Sequence, residues 1–447
     1  MNILKQIIKY IIVYIVLMII LFSALLIVSV IPKSAIEENC KESADQLLKQ
    51  GEKIYYKSFD RQMYTDNSTD SIMINIVYSM DDNNKIESIM KCRRNYNPGE
   101  TTRVWEDMLG NLPYHSSRFS MVNEFYQTTK GIDINSYEYA RYWHGYIVLL
   151  RPLLVFFDYK EIIVIMYLVL SALLTILLMN IYRKKGLPQT IAVFAAFIAV
   201  EYLEWYQNMQ GNYVLLIALI SSVLISTGKI TRKHLNLLLF IESGFIAYLD
   251  LLTFPLVGCV VPVIIYNLFD EEEDTNNKKR FRQLVGNGVA CILGFGLVWL
   301  GKLVISDWLV NTEIVDLSIK QLGFRLGMYL SSEQLKARMF HRAYQKIFYY
   351  GLTKADLIII ILGTIYGLYC LKKYGPKYYF SSKKLVYYLC MIVPFIWYTI
   401  VVEHSYLHFF FTYRNLLISY LCLLLIYADN PGVKSIDNNI EEDKNND

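Results

Sequence analysis

Charge is scarce in this sequence: Asp, Glu, Lys and Arg make up 19% of its 447 residues, where soluble globular chains carry roughly a quarter. Apolar residues replace the missing charge at 54% of the chain, with a mean hydropathy of +0.30. They are gathered into runs of about 15 to 25 residues, most of them long enough to cross a hydrocarbon core of roughly 30 Å. A cytosolic enzyme is therefore excluded. The net charge of +4 is too small to propose a nucleic-acid partner, and the basic residues sit in short clusters between apolar runs rather than along one face. Seven cysteines without CxxC or Cys/His spacing argue against a zinc module or a disulfide-stapled mini-domain. Neither a Walker loop nor GxGxxG, GxSxG or a Cys/His nucleophile pattern is present, so ATP-driven transport and serine hydrolysis have no motif support.

What the sequence does hold is an all-α pattern of about ten membrane spans, near 7–31, 161–182, 188–203, 213–227, 235–251, 254–269, 284–305, 355–371, 384–402 and 406–427. The connections alternate in charge. Lys5 and Lys9, Arg183 to Lys185, Lys229 with Arg232 and Lys233, Lys278 to Arg282, and Lys372, Lys373 and Lys377 all fall on one side of a ten-span chain. Positive connections stay in the cytoplasm, which places both termini there and puts 32–160, 201–212, 250–255, 306–354 and 403–405 outside the cell membrane. Four regions follow: a cytoplasmic N-terminus and first span (1–31), an extracytoplasmic loop with interfacial helices (32–160), a transmembrane bundle (161–427) and a disordered acidic cytoplasmic tail (428–447). The first span is read as an anchor, because its apolar stretch exceeds a signal sequence and Val30-Ile31-Pro32-Lys33 lacks a small-residue cleavage pattern.

The loop reads as helical rather than as alternating strands. Ser34-Ala35-Ile36-Glu37 suggests a capping box, and Ile36, Cys40, Ala44, Leu47 and Leu48 share one face before Gly51. A second helix begins near Ser68 with Asp70 in its first turn, where a carboxylate complements the helix dipole. These apolar faces, with Trp143 and its neighbouring tyrosines, predict a loop lying on the membrane rather than standing away from it. Cys40 and Cys92, the cysteines outside the spans, are expected near one another.

Candidate chemistry gathers at the outer ends of the spans. In Tyr137 to Phe157 a helix would place Arg141, His144 and Arg151 within an arc of about 80°. Arginine forks suit phosphate oxygens and aromatic faces suit a sugar, while the plain alternative is an interfacial aromatic belt with snorkelling arginines. Glu201, Glu204 and Asp250 end spans, and Arg414 lies further in, where it needs a carboxylate, a carbonyl shell or a lipid phosphate; pairing with those acids is the structural alternative. Glu403-His404-Ser405-Tyr406-Leu407-His408 puts two imidazoles on one face but is one ligand short of a usual catalytic zinc site, so no metal residue is assigned and a divalent ion is left open.

Tyr139-Ala140-Arg141-Tyr142-Trp143-His144-Gly145-Tyr146, Arg151-Pro152-Leu153-Leu154, Leu251-Leu252-Thr253-Phe254-Pro255 and His404-Ser405-Tyr406-Leu407-His408 to Thr412-Tyr413-Arg414 resemble blocks of bacterial GT-C-like membrane proteins. The whole layout, one anchor, a first exterior loop and a bundle with outward polar residues, is similar to that class of integral-membrane glycosyltransferases. The resemblance implies a lipid-linked phosphosugar donor, a cell-envelope acceptor, membrane lipids as surroundings, no required cofactor, and a first-loop carboxylate as base. No Asp-x-Asp pair follows the first span closely; Asp70 is the first choice, with Asp60, Asp66, Asp81 and Asp82 as alternatives. Arg141, His144, Arg151, His404, His408 and Arg414 would then hold the donor phosphate, and Glu204 and Asp250 would orient those cations or bind sugar hydroxyls. The rival readings are a transporter or flippase for an anionic lipid-linked saccharide and a non-catalytic multi-pass protein. Sugar, acceptor, stereochemistry and oligomeric state are left open by the sequence.

Overall fold

The structure, a computed structural model, describes residues 3–58, 60–96, 120–132, 135–205, 207, 209–270, 276–311, 314–337 and 343–429. The acidic tail from 430 onward lies outside the described residues. Helices occupy all ten expected apolar runs, and the chain is a multi-pass membrane protein. Six helices are long and apolar enough to cross a bilayer: Leu4–Val28, Tyr159–Lys185, Asn277–Val310, Lys354–Tyr374, Ser382–Ile400 and Phe409–Ala428. Leu187–Ile198, Asn212–Ser226 and Pro255–Phe269 are apolar but only 12 to 15 residues long. At 1.5 Å per residue they reach about 18 to 22 Å, short of the hydrocarbon thickness. Arg232–Leu249 has the length, but it carries Glu242 midway.

Packing explains their arrangement. The last span, Phe409–Ala428, has 83% of its apolar window buried and forms the centre, whereas Lys354–Tyr374 has 17% buried and faces outward. Arg232–Leu249 lies tightly along Asn277–Val310, because Gly294 leaves room for the backbone carbonyl of Phe240 and the side chain of Ser243 that a Cβ would displace. Span starts are fixed locally: Asp158 with Glu161 and Thr353 with Asp356 form capping boxes, and Gly186 at φ 95° turns the chain between two helices.

The connections sort to two ends. At one end Lys184 donates to the carbonyls of Ser226 and Thr227, Arg232 and Arg280 share Asp270, and Lys384 donates to the carbonyls of Ile426 and Asp429. This is the basic end. At the other end described residues of the 33–158 segment meet the bundle: Ser58 bonds Glu201, Asp70 bonds Met209 and Gln210, Gly145 bonds Tyr248, Arg61 bonds Tyr349, and Tyr64 stacks on Phe410.

That segment contains more β-structure than its pattern suggested. Lys53–Ser58 pairs antiparallel with Arg61–Asp66, Lys53 opposite Asp66, and Arg93–Tyr96 pairs with Asn135–Glu138. The signal was the alternating exposure of Lys53-Ile54-Tyr55-Tyr56-Lys57-Ser58, a short half-buried strand rich in tyrosine. Helices cover Lys33–Gln50, Ser68–Tyr78, Lys85–Lys91 and Met121–Thr129. Ser34 does not cap the first of these. The helix starts two residues earlier than a Ser34 cap would place it, behind Pro32, and Asp82 accepts from the Lys33 N–H at 3.0 and 3.2 Å.

Among the described residues the segment has no core separate from the bundle. Ile36, Cys40, Leu47, Met73, Ile76 and Val77 pack into one buried cluster with Leu21, Leu25, Tyr213, Tyr248 and Val298 of the bundle. Two buried cations clamp it further. Arg151 donates from Nε and Nη2 to the Ile31 carbonyl at 3.0 and 2.5 Å and from Nη1 to the Val77 carbonyl at 2.6 Å, while Lys302 donates to the Met90 carbonyl at 2.7 Å. Cys40 and Cys92 are both buried free thiols, pushed up to about 12 and about 11 by burial.

Candidate functional site

Two polar groups meet at the end that receives the 33–158 segment. The first is cationic. Residues 139–146 run as turns rather than as helix, and the helix starts only at Ile147, so Arg141, His144 and Arg151 do not share a helical face. Arg141 lies over the ring of Tyr139 at 4.1 Å and that of Tyr142 at 5.3 Å. The Tyr142 hydroxyl accepts from Nη2 of Arg325 at 2.9 Å, and Nη1 of Arg325 bonds Nδ1 of His404. The rings of His404 and His408 lie 4.8 Å apart. Burial holds His408 down at about 3, with Arg325 and Arg141 adding to the effect, and holds His404 well below the usual range with help from Arg325. Arg141, Arg325, His404 and His408 thus converge from three distant stretches of chain.

The second group surrounds Arg414. Its guanidinium is buried and stacks over Trp205 at 5.0 Å, while Nε and Nη1 have no hydrogen-bond partner among the described residues. Glu201 and Glu204 lie within its electrostatic reach, and burial raises both carboxyls. Ser58, from the first hairpin, donates to Glu201, and Gln207 donates to Glu204. Glu201 holds φ at 59°, a left-handed conformation uncommon for glutamate and concentrated at functional positions. Tyr56 and Tyr413 close the space beside them. The Trp205 Nε1, Thr412 Oγ1 and Asn415 side chain are also buried without a hydrogen-bond partner among the described residues, while the Tyr413 hydroxyl lies within hydrogen-bond reach of Tyr56 and Arg414. Buried polar groups are ordinarily satisfied, so such a concentration marks a place built for a ligand or ordered water.

The two groups are joined. Trp205 packs edge-on against Phe254 at 5.0 Å, Thr253 and Leu252 present their backbone to His404, and the turn from His408 to Arg414 runs between them. Asp250 builds that neighbouring turn by accepting from the Thr253 N–H at 2.8 Å and its hydroxyl at 2.5 Å. Burial pushes Asp250 up to about 6.

Several expected site residues have structural occupations instead. Arg151 is spent on the carbonyls of Ile31 and Val77, with Asp82 at 3.4 Å. His144, at φ 53°, bonds the Tyr139 carbonyl through Nε2 at 2.7 Å and the Tyr146 hydroxyl through Nδ1 at 2.9 Å. Burial holds it down at about 3, so it is a neutral brace, seated where Gly145 lets the Tyr248 ring approach. Asp70 is fully buried and accepts from the Tyr159 hydroxyl at 2.8 Å and the Met209 and Gln210 N–H groups at 2.6 and 3.0 Å. It ties the loop to the bundle, and burial, acting against those three bonds, pushes it up to about 7. Asp66 accepts from Ser68 and Thr69, Asp60 accepts from the Lys354 N–H, Asp81 closes a turn with Asn83, and Asp82 caps a helix. Residues that bring a first-loop carboxylate to the Arg141, His404 and His408 group are not among these.

Arg325, Tyr56, Ser58, Trp205 and Tyr413 were not singled out by sequence. Only Arg325 left a trace there, as a cation on the stripe of Ile314, Ser318 and Gln321. Among the described residues no group of three His, Cys, Asp or Glu side chains is placed to hold a metal ion. Arg325 beside both imidazoles makes that pair a better seat for an anion than for a cation. No protein-family model, curated protein or solved structure matches the chain.

Proposed function

We propose that the chain is an integral-membrane glycosyltransferase of GT-C type, moving a sugar from a polyprenyl-phosphate-linked donor to a cell-envelope acceptor on the outer face of the cell membrane. The observation that carries this reading is Arg414: a buried guanidinium with two unfilled donors beside two carboxylates and an indole face. Glu201 and Glu204 supply charge nearby but leave Nε and Nη1 without a hydrogen bond, and those donors suit the oxygens of a further anionic group. Phosphate oxygens fit Arg414 and the Arg141, Arg325, His404 and His408 group, and a sugar ring fits the aromatic wall of Trp205, Tyr56 and Tyr413.

Glu201 takes the role first given to Asp70, since it stands next to the cations and Asp70 does not. The acceptor hydroxyl oxygen bonds to the anomeric carbon as the bond from that carbon to the phosphate oxygen breaks. The electron pair stays on the phosphate, facing the guanidinium groups, and the hydroxyl proton passes to Glu201. A carboxyl raised by burial is a stronger base than one in water. Glu204 and Asp250 orient neighbours, and no metal or cofactor enters the step.

The carrier reading keeps one observation in its favour. Glu242 is buried midway along Arg232–Leu249, a place where transporters keep protonatable groups. Proteoliposomes loaded with a polyprenyl-phosphate-linked sugar separate the two: a transferase releases polyprenyl phosphate and glycosylates acceptor, and a carrier moves intact donor between leaflets.

A further inference from the structure

The helix Ile314–Arg325 divides its surface into three lengthwise strips. Ile314, Ser318, Gln321 and Arg325, spaced i, i+4, i+7, i+11, face the protein; Ile314 and Ser318 are buried, and Gly323 and Phe324 are buried as well in the last turn. Val315, Ile319 and Leu322, spaced i, i+4, i+7, are exposed apolar side chains, and Met328 and Tyr329 beyond the helix end are exposed as well. Asp316 and Lys320, at i and i+4, pair at 2.6 Å on the remaining flank beside Leu317. An exposed apolar strip of this kind is not left in water without cause.

Its neighbour shows what covers it. Along Asn277–Val310 the exposed residues Leu300, Val304 and Trp308, spaced i, i+4, i+8, form one ridge on the lipid-facing side of a span. Trp308, 81% exposed, ends that ridge at the level where indoles settle among headgroups. The chain resumes as Ile314–Arg325 within a few residues, and the two helices touch. The bare strip of the short helix is therefore a continuation of a surface already given to lipid.

We infer that Ile314–Arg325 lies in the plane of the membrane interface, with Val315, Ile319 and Leu322 against acyl chains and the Asp316–Lys320 pair toward water, and that this seating positions Arg325 against His404 and Tyr142. The bilayer itself is the partner. A helix of this type sinks roughly 5 to 10 Å into the boundary between headgroups and chains. Without it, the helix would be held by its inner strip and by Gly323 and Phe324 of the last turn, the turn that carries Arg325, while the turns before it would lose their outer support. The inference concerns Arg325's placement and holds for a transferase or a carrier alike.

The test uses the full chain in nanodiscs of phosphatidylethanolamine and phosphatidylglycerol, with a nitroxide at Ile319→Cys or Asp316→Cys and the unsubstituted protein as the labelling blank. Position 319 should be open to oxygen and closed to a water-soluble nickel complex, and position 316 the reverse. Equal access of both positions to nickel would overturn the seating. For the positioning of Arg325, the double variant Ile319→Glu with Leu322→Glu should raise the titration of His404 toward its ordinary value, as Arg325→Gln does, while Lys320→Glu leaves it unchanged. An unmoved His404 titration in the double variant, with Arg325→Gln still moving it, would overturn the coupling.

Discussion

Nη1 of Arg325 donates to Nδ1 of His404 across 79 residues of sequence. An imidazole that accepts at Nδ1 carries its proton on Nε2, so His404 is neutral and offers one N–H toward the backbone of Leu252 and Thr253. The strained Leu252, at φ 66°, turns that backbone. The pair links the connection at 314–330 to the one at 401–408, and Nη2 of the same guanidinium reaches the Tyr142 hydroxyl.

Arg325→Lys keeps the charge and removes the fork, so it cannot hold His404 and Tyr142 together. Donor turnover should fall at least about tenfold, with thermal stability nearly unchanged because Arg325 is only half-buried. Parallel turnover and melting measurements check this.

Arg151 gives the opposite expectation. It is fully buried and bonds the carbonyls at the ends of two helices, so Arg151→Ala should cost about 3 kcal/mol of stability and loosen the segment from 33 to 158. Any remaining folded protein should keep its affinity for donor. Limited proteolysis alongside donor binding separates the two roles.

Asp70 makes stability depend on pH. Its folded value, about 7, lies above the ordinary 3.8, so folding takes up a proton: its contribution is complete below 3.8 and is lost as pH rises toward about 7. His144 runs the other way. Held at about 3 against an ordinary 6.5, it contributes fully above 6.5 and loses that contribution as pH falls toward about 3. Asp70→Asn should remove the first slope, retain the second, and lower stability by roughly 1 to 3 kcal/mol through mismatched partners. Melting curves from about pH 4 to pH 8 read both slopes, and turnover per folded molecule should change little.

Gly294→Ala should be worse tolerated than an ordinary span substitution. The added methyl meets the Phe240 carbonyl, a backbone group that cannot rotate away, and forces Arg232–Leu249 off Asn277–Val310. The expected outcome is loss of the monodisperse detergent-solubilised protein, whereas Gly296→Ala, which meets open space, should behave as the parent.

Much of this architecture is legible in the sequence because apolar runs report directly on what lipid accepts, and lysine and arginine clusters mark the connections that gather at one end. The polar residues at the end opposite the basic one are visible for the same reason: Glu201, Asp250, His404 and Arg414 stand out against apolar neighbours. Their separation into site and scaffold was not. Arg141 and Arg151 look alike in sequence, and only the carbonyls of Ile31 and Val77, contributed by remote helices, show that one is a clamp. Asp70 likewise depends on Met209 and Gln210, 139 and 140 residues away. The first hairpin was missed because six-residue strands give a weak alternation, easily overridden by the strong helical pattern on either side.

The most direct test of the account is transfer from a polyprenyl-phosphate-linked sugar in proteoliposomes, comparing the parent chain with Glu201→Gln and Arg414→Lys. The account predicts release of polyprenyl phosphate by the parent, and a loss of at least about a hundredfold in both variants, which keep their melting temperature and assembly. Release by the parent that survives both substitutions, or movement of intact donor between leaflets with no release at all, would contradict it.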